Sequence, residues 1–494
     1  MAQVLAEPQE RLIEVEAAER ERPEPAPIGD QKTFRPYDPD QVLLMAPVLQ
    51  EWVPEGDLAH FVSDLVDTSL DLSGIYASYE SERGYPPYDP RLMLKLLIFG
   101  YANGICSSRK LEQATHRDVA VRMLCAGQHP DYRSIARFRA RHLEGLSELF
   151  VQALRLCAEA GLVKLGRLAL DGTKLRANAS RHKAMSYERM TKKEAELQAE
   201  IAELRARART LLVAAAATDA AEDERFGPDS RGDELPDELQ RRESRLARLR
   251  EAKAALEAEA REREERRRAE MAAEGRTPRT PPSGRDPFAP KPRDQRNFTD
   301  PESKIMKASD GAFHQCYNGQ AVVDEERQVI VAADVSNQAP DAPHLEGALE
   351  QLAENLEEIG IEPPEDAALT ADAGYFSERN VESSEAHGLD PYIATGRHKH
   401  SDPPPIAPRG PIPADATPKQ RMARKNRTKK GQATYARRKT IVEPVFGQLQ
   451  TVQKARHLLL RGEPAARAQW RFHCAIHNLL KLHRAGGLGL AGAT

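Results

Sequence analysis

Between residues 181 and 290 the chain carries 24 Lys/Arg and 24 Asp/Glu, with Tyr187, Phe226 and Phe288 as the three aromatic residues. So charged a stretch cannot bury much apolar area by itself, and a separate globular domain is excluded there. The fold must be built from the two flanks and must tolerate the interruption. Within it, residues 187–217 and 237–275 are rich in Ala, Leu, Glu and Arg, and the breaker run FGPDSRGDELP (226–236) parts them. This predicts two long polar helices, a coiled-coil-like hairpin held by i, i+4 pairs and by contact with a partner, the alternative being a disordered, dispensable spacer. Pro- and Gly-rich sequence at 276–292 closes the insertion, whose bounds are set at 181–293.

The N-terminal flank reads as helical over 36–165. In 142–157 apolar residues fall at Leu143, Leu146, Leu149, Ala153, Leu154 and Cys157, the spacing of one buried helical face. At 166–173 the period changes: GRLALDGT is a short apolar run ending in Asp-Gly, a strand that stops at a turn. Beyond the insertion, 314–324 and 328–338 read as a strand hairpin. Asp341 and Pro343 start a helix with its stripe at Leu345, Leu349, Leu352 and Leu356, ended by Gly360. Strands follow at 367–375 and 391–395, then a basic Pro-rich loop (403–431) and helix to about residue 484. The order predicts an α/β fold: a sheet flanked by helices, interrupted after its first strand. Residues 1–35, with four prolines among many Glu, read as a disordered acidic tail.

Composition narrows the class. The longest apolar run, LMLKLLIFGY (92–101), contains Lys95 and is too short to span a membrane. No secretory h-region is visible at the N-terminus, and five scattered cysteines form no CxxC pair, which suits a reducing cytoplasm. A net charge of -4 conceals strong local bias. Residues 1–30 carry eight acids against three Arg, whereas 418–440 carry ten Lys/Arg and no acid. In YRSIARFRARH (132–142), Arg133, Arg137, Arg139 and Arg141 ring a short helix, either a phosphate-facing surface or a solvated charged face.

Three carboxylates stand out by position: Asp171 and Asp372 at the ends of strands, and Glu443 in the helical stretch RRKTIVEPVFGQ (437–448). Acids at neighbouring strand ends point into one crevice, and hard carboxylate oxygens are what Mg²⁺ takes. Each also has a plainer reading. The two Asp could be turn residues, and Glu443 stands three after Thr440, the spacing of a capping box. Asp324 and Asp334 are similarly placed, so spacing alone does not choose the trio. His473 and His477, four apart in WRFHCAIHNLL, could chelate zinc, but an apolar helix without HExxH reads as packing.

Longer strings choose. YDPRLMLKLLIFGYANGICSSRKLE (88–112), DYRSIARFRARH (131–142), LALDGTKLRANAS (168–180), YNGQAVVD (317–324), LTADAGY (369–375) and YARRKTIVEPVFGQLQ (435–450) together resemble a bacterial insertion-sequence transposase of the DDE superfamily. The resemblance implies a helical DNA-binding domain over 36–165 and an RNase H-like catalytic domain over 166–180 and 294–484. It implies Asp171, Asp372 and Glu443 as the catalytic, metal-binding acids, the first touching two Mg²⁺ ions and the others one each, with Mn²⁺ able to replace Mg²⁺. Four residues rather than three separate Arg438 from Glu443, and Gln450 stands near the position of a family Lys. Tyr435, Arg437, Arg438 and Lys439 would neutralise phosphates beside the acids. The implied activity is cleavage of the element's ends and joining of the 3′-hydroxyl to target DNA. Its partners would be double-stranded DNA (terminal inverted repeats and target) and further copies of the chain in a synaptic dimer or larger assembly, in the cytoplasm at the nucleoid. A metal-dependent nuclease, or an inactive DNA-binding remnant acting as a repressor, are the alternatives. The insertion, leaving the sheet soon after Asp171, would reach bound DNA or a second subunit.

Overall fold

A computed structural model describes residues 48–79, 86–180, 183–226, 237–273, 275–277, 286–308, 310–396, 406–413 and 415–489. The acidic tail 1–35 and the breaker at 227–236 lie outside them. Eight helices come first: α1 (Leu49–Trp52), α2 (Leu58–Thr68), α3 (Ser73–Ala77), α4 (Pro90–Ala102), α5 (Ser108–Arg117), α6 (Val119–Leu124), α7 (Tyr132–Arg141) and α8 (Leu143–Glu159). Local chemistry starts them. Asp89 accepts the Arg91 N–H at 2.8 Å with Pro90 at the first helical position of α4, and Asp131 does the same for Arg133 and Ser134 in α7. In α4 nearly every residue is buried, and Lys95 reaches out to Asp67 at 2.6 Å.

The chain then forms β1 (Arg167–Arg176), β2 (Ala184–Ser186), the long helices α9 (Tyr187–Phe226) and α10 (Asp237–Ala273), and β3 (Gln295–Asn297) and β4 (Lys304–Lys307). There follow β5 (Phe313–Asp324), β6 (Ile330–Ser336), α11 (Leu345–Ile359), β7 (Ala368–Ala371), α12 (Glu378–Ala386) and β8 (Asp390–Ile393). Four helices end it: α13 (Pro418–Arg427), α14 (Lys429–Ala436), α15 (Arg438–Thr451) and α16 (Glu463–Ala485).

The main sheet is mixed, in the order β4–β5–β1–β7–β8, with β6 also on β5. β1 runs antiparallel to β5 and parallel to β7, which is parallel to β8. One core joins helices and sheet, from Leu97 and Phe150 to Val322, Ala333, Trp470 and Ile476. Its axis is α16, packed against α4, α8 and β6, with the Trp470 indole donating to the Gln320 carbonyl at 2.9 Å. No helix among the described residues is long and apolar enough to cross a membrane.

The insertion consists of two long helices, as its composition implies. Met190, Leu197 and Ile201 of α9 meet Leu246, Leu249 and Leu256 of α10 in a narrow seam, a core separate from the main one. Its foot is the two-stranded ribbon β2–β3.

Three details depart from the sequence reading. β1 does not stop at Asp171-Gly172 but runs on to Arg176, because β5 continues to pair with it. The basic loop 403–431 contains helix from Pro418, started by a capping box between Thr417 and Gln420. The final helical stretch is broken at 452–462, where Arg456–Leu458 crosses to the end of β1: the Arg176 N–H donates to Arg456, and the Leu458 N–H returns to Arg176, both at 2.8 Å.

Candidate active site

The site begins with a register. Leu170 of β1 pairs with Ala371, the last residue of β7. The next residue on each strand, Asp171 and Asp372, therefore stands where the parallel ladder ends. Beyond that point β1 has no strand partner on this side among the described residues until the bridge at Arg176, and α15 lies along the gap. Arg438 Nη1 donates to Asp171 Oδ2 at 2.8 Å, and Gln450 Nε2 donates to Thr173 Oγ1 at 2.6 Å.

Backbone shape holds both carboxylates in place. Asp171 accepts the Gly172 N–H at 2.9 Å, and Asp372 Oδ1 accepts the Gly374 N–H at 2.8 Å. A Cβ on Gly172 would come within 2.6 Å of Gln320 Nε2 and 3.1 Å of the Tyr375 hydroxyl, so only glycine lets that network approach the acid. Behind it, the Tyr375 hydroxyl donates to Gln320 Oε1, and Asp341 takes Lys174 Nζ at 3.0 Å and Asn318 Nδ2 at 2.9 Å. The sequence reading saw Asp341 only as a helix start. Its distance in sequence from the other acids hid a place behind the same crevice.

The electrostatics follow from crowding. Burial raises the Asp171 carboxyl above its ordinary value; Arg438 and the Gly172 N–H pull it down, and the Asp372 charge raises it further. Burial lifts the Tyr375 hydroxyl well up, reinforced by the charges of Asp341, Asp171 and Asp372. Tyr435, beside Arg438, is raised by burial as well. Desolvation works against the Arg438 charge, yet Asp171 keeps its guanidinium more firmly protonated than usual.

Asp171 and Asp372 thus come together. Glu443 is exposed on α15, five residues beyond Arg438, and is not among the charges that weigh most on Asp171. Among the described residues no three His, Cys, Asp or Glu side chains stand close enough to share a metal ion. The rival acids are engaged elsewhere. Asp324 is buried and accepts the N–H groups of Lys164 and Leu165, while Asp334 Oδ1 takes Arg467 Nε at 2.5 Å.

The basic candidates divide. Arg139 does not face solvent: it is buried and donates to the Tyr101 hydroxyl at 2.9 Å, the Cys106 carbonyl at 2.7 Å and the Ser108 hydroxyl. It ties α7 to α4 and α5, which corrects its reading as a phosphate contact. Arg133, Arg137 and Arg141 are exposed, with Arg133 and Arg141 over the rings of Tyr132 and Tyr79. Arg437 pairs with Glu325 at 2.6 Å, and Lys439 is exposed. His473 and His477 are buried, hydrogen-bonded to the Gln453 side chain and the Gln328 carbonyl, and burial pushes both down to about 3. They are packed histidines.

Two family models match the chain. A transposase domain (DUF772) covers residues 47–141, and a transposase DDE domain covers 276–479. Together they take in more than half of the 494 residues. The chain belongs to the insertion-sequence transposases of the DDE superfamily. Its two domains mark it as a protein of DNA transposition. Asp372 and Glu443 lie within the DDE match, whereas Asp171 and the helices α9 and α10 fall between the two matched segments. No curated protein and no solved structure matches the chain.

Proposed function

We propose that this chain binds the ends of its own element, cleaves them, and joins the freed 3′-hydroxyl to target DNA at the Asp171–Asp372 crevice. The observation that carries the reading is the Leu170–Ala371 register, which sets two carboxylates side by side where the parallel β1–β7 ladder ends. The sheet order, with β5 antiparallel and β7 and β8 parallel to β1, supports an RNase H-like core.

The donor set suits a hard divalent cation. Two carboxylates that repel each other, one balanced by a single arginine, match the one or two carboxylates with which Mg²⁺ is usually held beside substrate phosphates. Asp171 and Asp372 would hold it, with Glu443 as the third acid of this reading. When bound, Mg²⁺ or Mn²⁺ supplies Lewis-acid stabilisation of the charge on the reacting phosphoryl oxygens. The protein's own groups do the rest. Arg438, released from Asp171, neutralises a phosphate, and Tyr435, Arg437 and Lys439 lie on the same segment to steer the backbone. Gly172 and Gly374 fix both carboxylates through their N–H groups, so little reorganisation is needed as charge develops.

Labelled duplex carrying an element end, incubated with Mg²⁺ and target DNA, tests the reading. Joined products at 3′-hydroxyl ends are expected. Nicks without joining would make the chain a nuclease on this fold, and binding without nicks a remnant repressor.

A further inference from the structure

The foot of the α9–α10 hairpin encloses an open groove of about 960 Å³ between the helices and the β2–β3 ribbon. Its floor is apolar, with Met185, Leu197, Leu249 and Phe298. Its walls carry Lys183, Arg189, Lys192, Arg245 and Arg248, all exposed and without an ion pair among the described residues. They also carry Lys193, paired to Glu196 at 2.9 Å, Arg296, paired to Glu259 at 2.6 Å, and Glu251. On each helix the cations recur at i, i+3, so each lines one face.

Other charges of the two helices are paired across the seam. There Glu194 takes both Arg250 and Lys253 at 3.0 Å, Glu200 takes Arg242 at 2.9 Å, and Glu243 takes Arg205 at 2.7 Å. Around the groove seven Lys/Arg side chains thus face two Glu, a clear excess of cations in a hairpin of nearly balanced composition. An excess of cations around a concave apolar floor raises the local potential and attracts a polyanion. Two separate rows of cations, spread over two helices, fit the spaced charges of a nucleic-acid backbone better than a single phosphate.

We propose that this groove binds the phosphate backbone of duplex DNA, as a contact additional to the acid crevice and without base readout. The proposal rests on the transposase reading only in its choice of DNA as polyanion. Both helices lie outside the matched family segments, whereas β3 and Phe298 of the groove lie within the DDE match.

The test uses the full chain with R189Q, K192Q, R245Q and R248Q combined, binding a mixed-sequence duplex over a series of salt concentrations. All four positions are exposed, so the helical signal and thermal midpoint should match the parent. The slope of log affinity against log salt should fall by about 3 to 4, with affinity at low salt down about tenfold or more. An R205Q control, at a cation already paired with Glu243, should leave the slope unchanged. A quadruple variant with the parent's slope overturns the groove while leaving the transposase reading intact. Inorganic pyrophosphate displacing duplex at equal concentration would make the groove a small-anion site and also overturn it. A parent chain that binds no duplex at all would fail the transposase reading itself.

Discussion

Arg438 Nη1 lies 2.8 Å from Asp171 Oδ2, a contact between residues 267 apart in the chain that fastens α15 to β1. Both side chains are largely buried, and Asp372 stands beside them. Removing the guanidinium leaves Asp171 with only the Gly172 N–H to balance burial and a like charge. Arg438→Met should therefore cost about 1–2 kcal/mol of stability in metal-free protein. Adding Asp171→Asn to it should recover much of that loss. Denaturant unfolding of the two singles and the double measures the coupling; strictly additive losses would mean the pair is not an interaction.

Arg139 supplies a contrast. Its guanidinium spends its donors on Tyr101, Cys106 and Ser108 inside the helical half. Arg139→Ala should destabilise the fold by about 2–4 kcal/mol by leaving those groups unpaired, whereas Arg137→Ala should stay within about 0.5 kcal/mol. Thermal melts of both variants decide. Equal melting points would return Arg139 to the surface.

Burial lowers His473 and His477 from the ordinary 6.5 to about 3. The unfolded chain then binds protons that the folded chain does not. Their contribution is full above about pH 6.5 and is lost as pH falls toward 3, at about 1.4 kcal/mol per pH unit for each. Asp171 and Asp324, both raised, act in the opposite sense, so substitution isolates the histidines. His477→Gln should be less stable than the parent at neutral pH yet lose less stability on acidification. A parallel pair of stability–pH curves would contradict this.

Pro444 lies inside α15 and has no N–H for the carbonyl four residues earlier, Thr440. Gln328 Nε2 supplies the missing donor at 3.0 Å, while its side-chain oxygen takes Lys481 and its carbonyl takes His477. The residue holds a left-handed φ of 58° to do so. Gln328→Ala should destabilise by about 1–3 kcal/mol and loosen α15 first. Hydrogen exchange of α15 amides reads that directly; protection equal to the parent's would show that the carbonyl is satisfied otherwise.

Much of the sheet was legible because most of its strands contain a short apolar run, unlike β4 with Met306 as its one buried residue, and because α11 keeps a clean stripe closed by Gly360, which adopts a φ of 71°. The interrupted order was legible too, since 181–290 is too charged to form a globular domain. What stayed hidden depends on contacts distant in sequence. β1 extends past Asp-Gly because β5 keeps pairing with it, and the break at 452–462 exists because its backbone finds the end of β1. Arg139 looked like its neighbours by composition; only the fold turns it inward. All three acids stood out by position, but Asp324 and Asp334 were similarly placed, and only the resemblance chose Asp171, Asp372 and Glu443 among them.

The central claim is that Asp171 and Asp372 form the chemical centre. Its most direct test is strand transfer with Mg²⁺ by Asp171→Asn, Asp372→Asn and Asp334→Asn, each checked for folding and DNA binding. The amides keep shape but lose the charge that holds a divalent cation, so the first two should fall by about a thousandfold or more with binding retained. Asp334, spent on Arg467, should keep near-parental activity. Abolished transfer in Asp334→Asn together with retained transfer in Asp372→Asn would contradict the assignment.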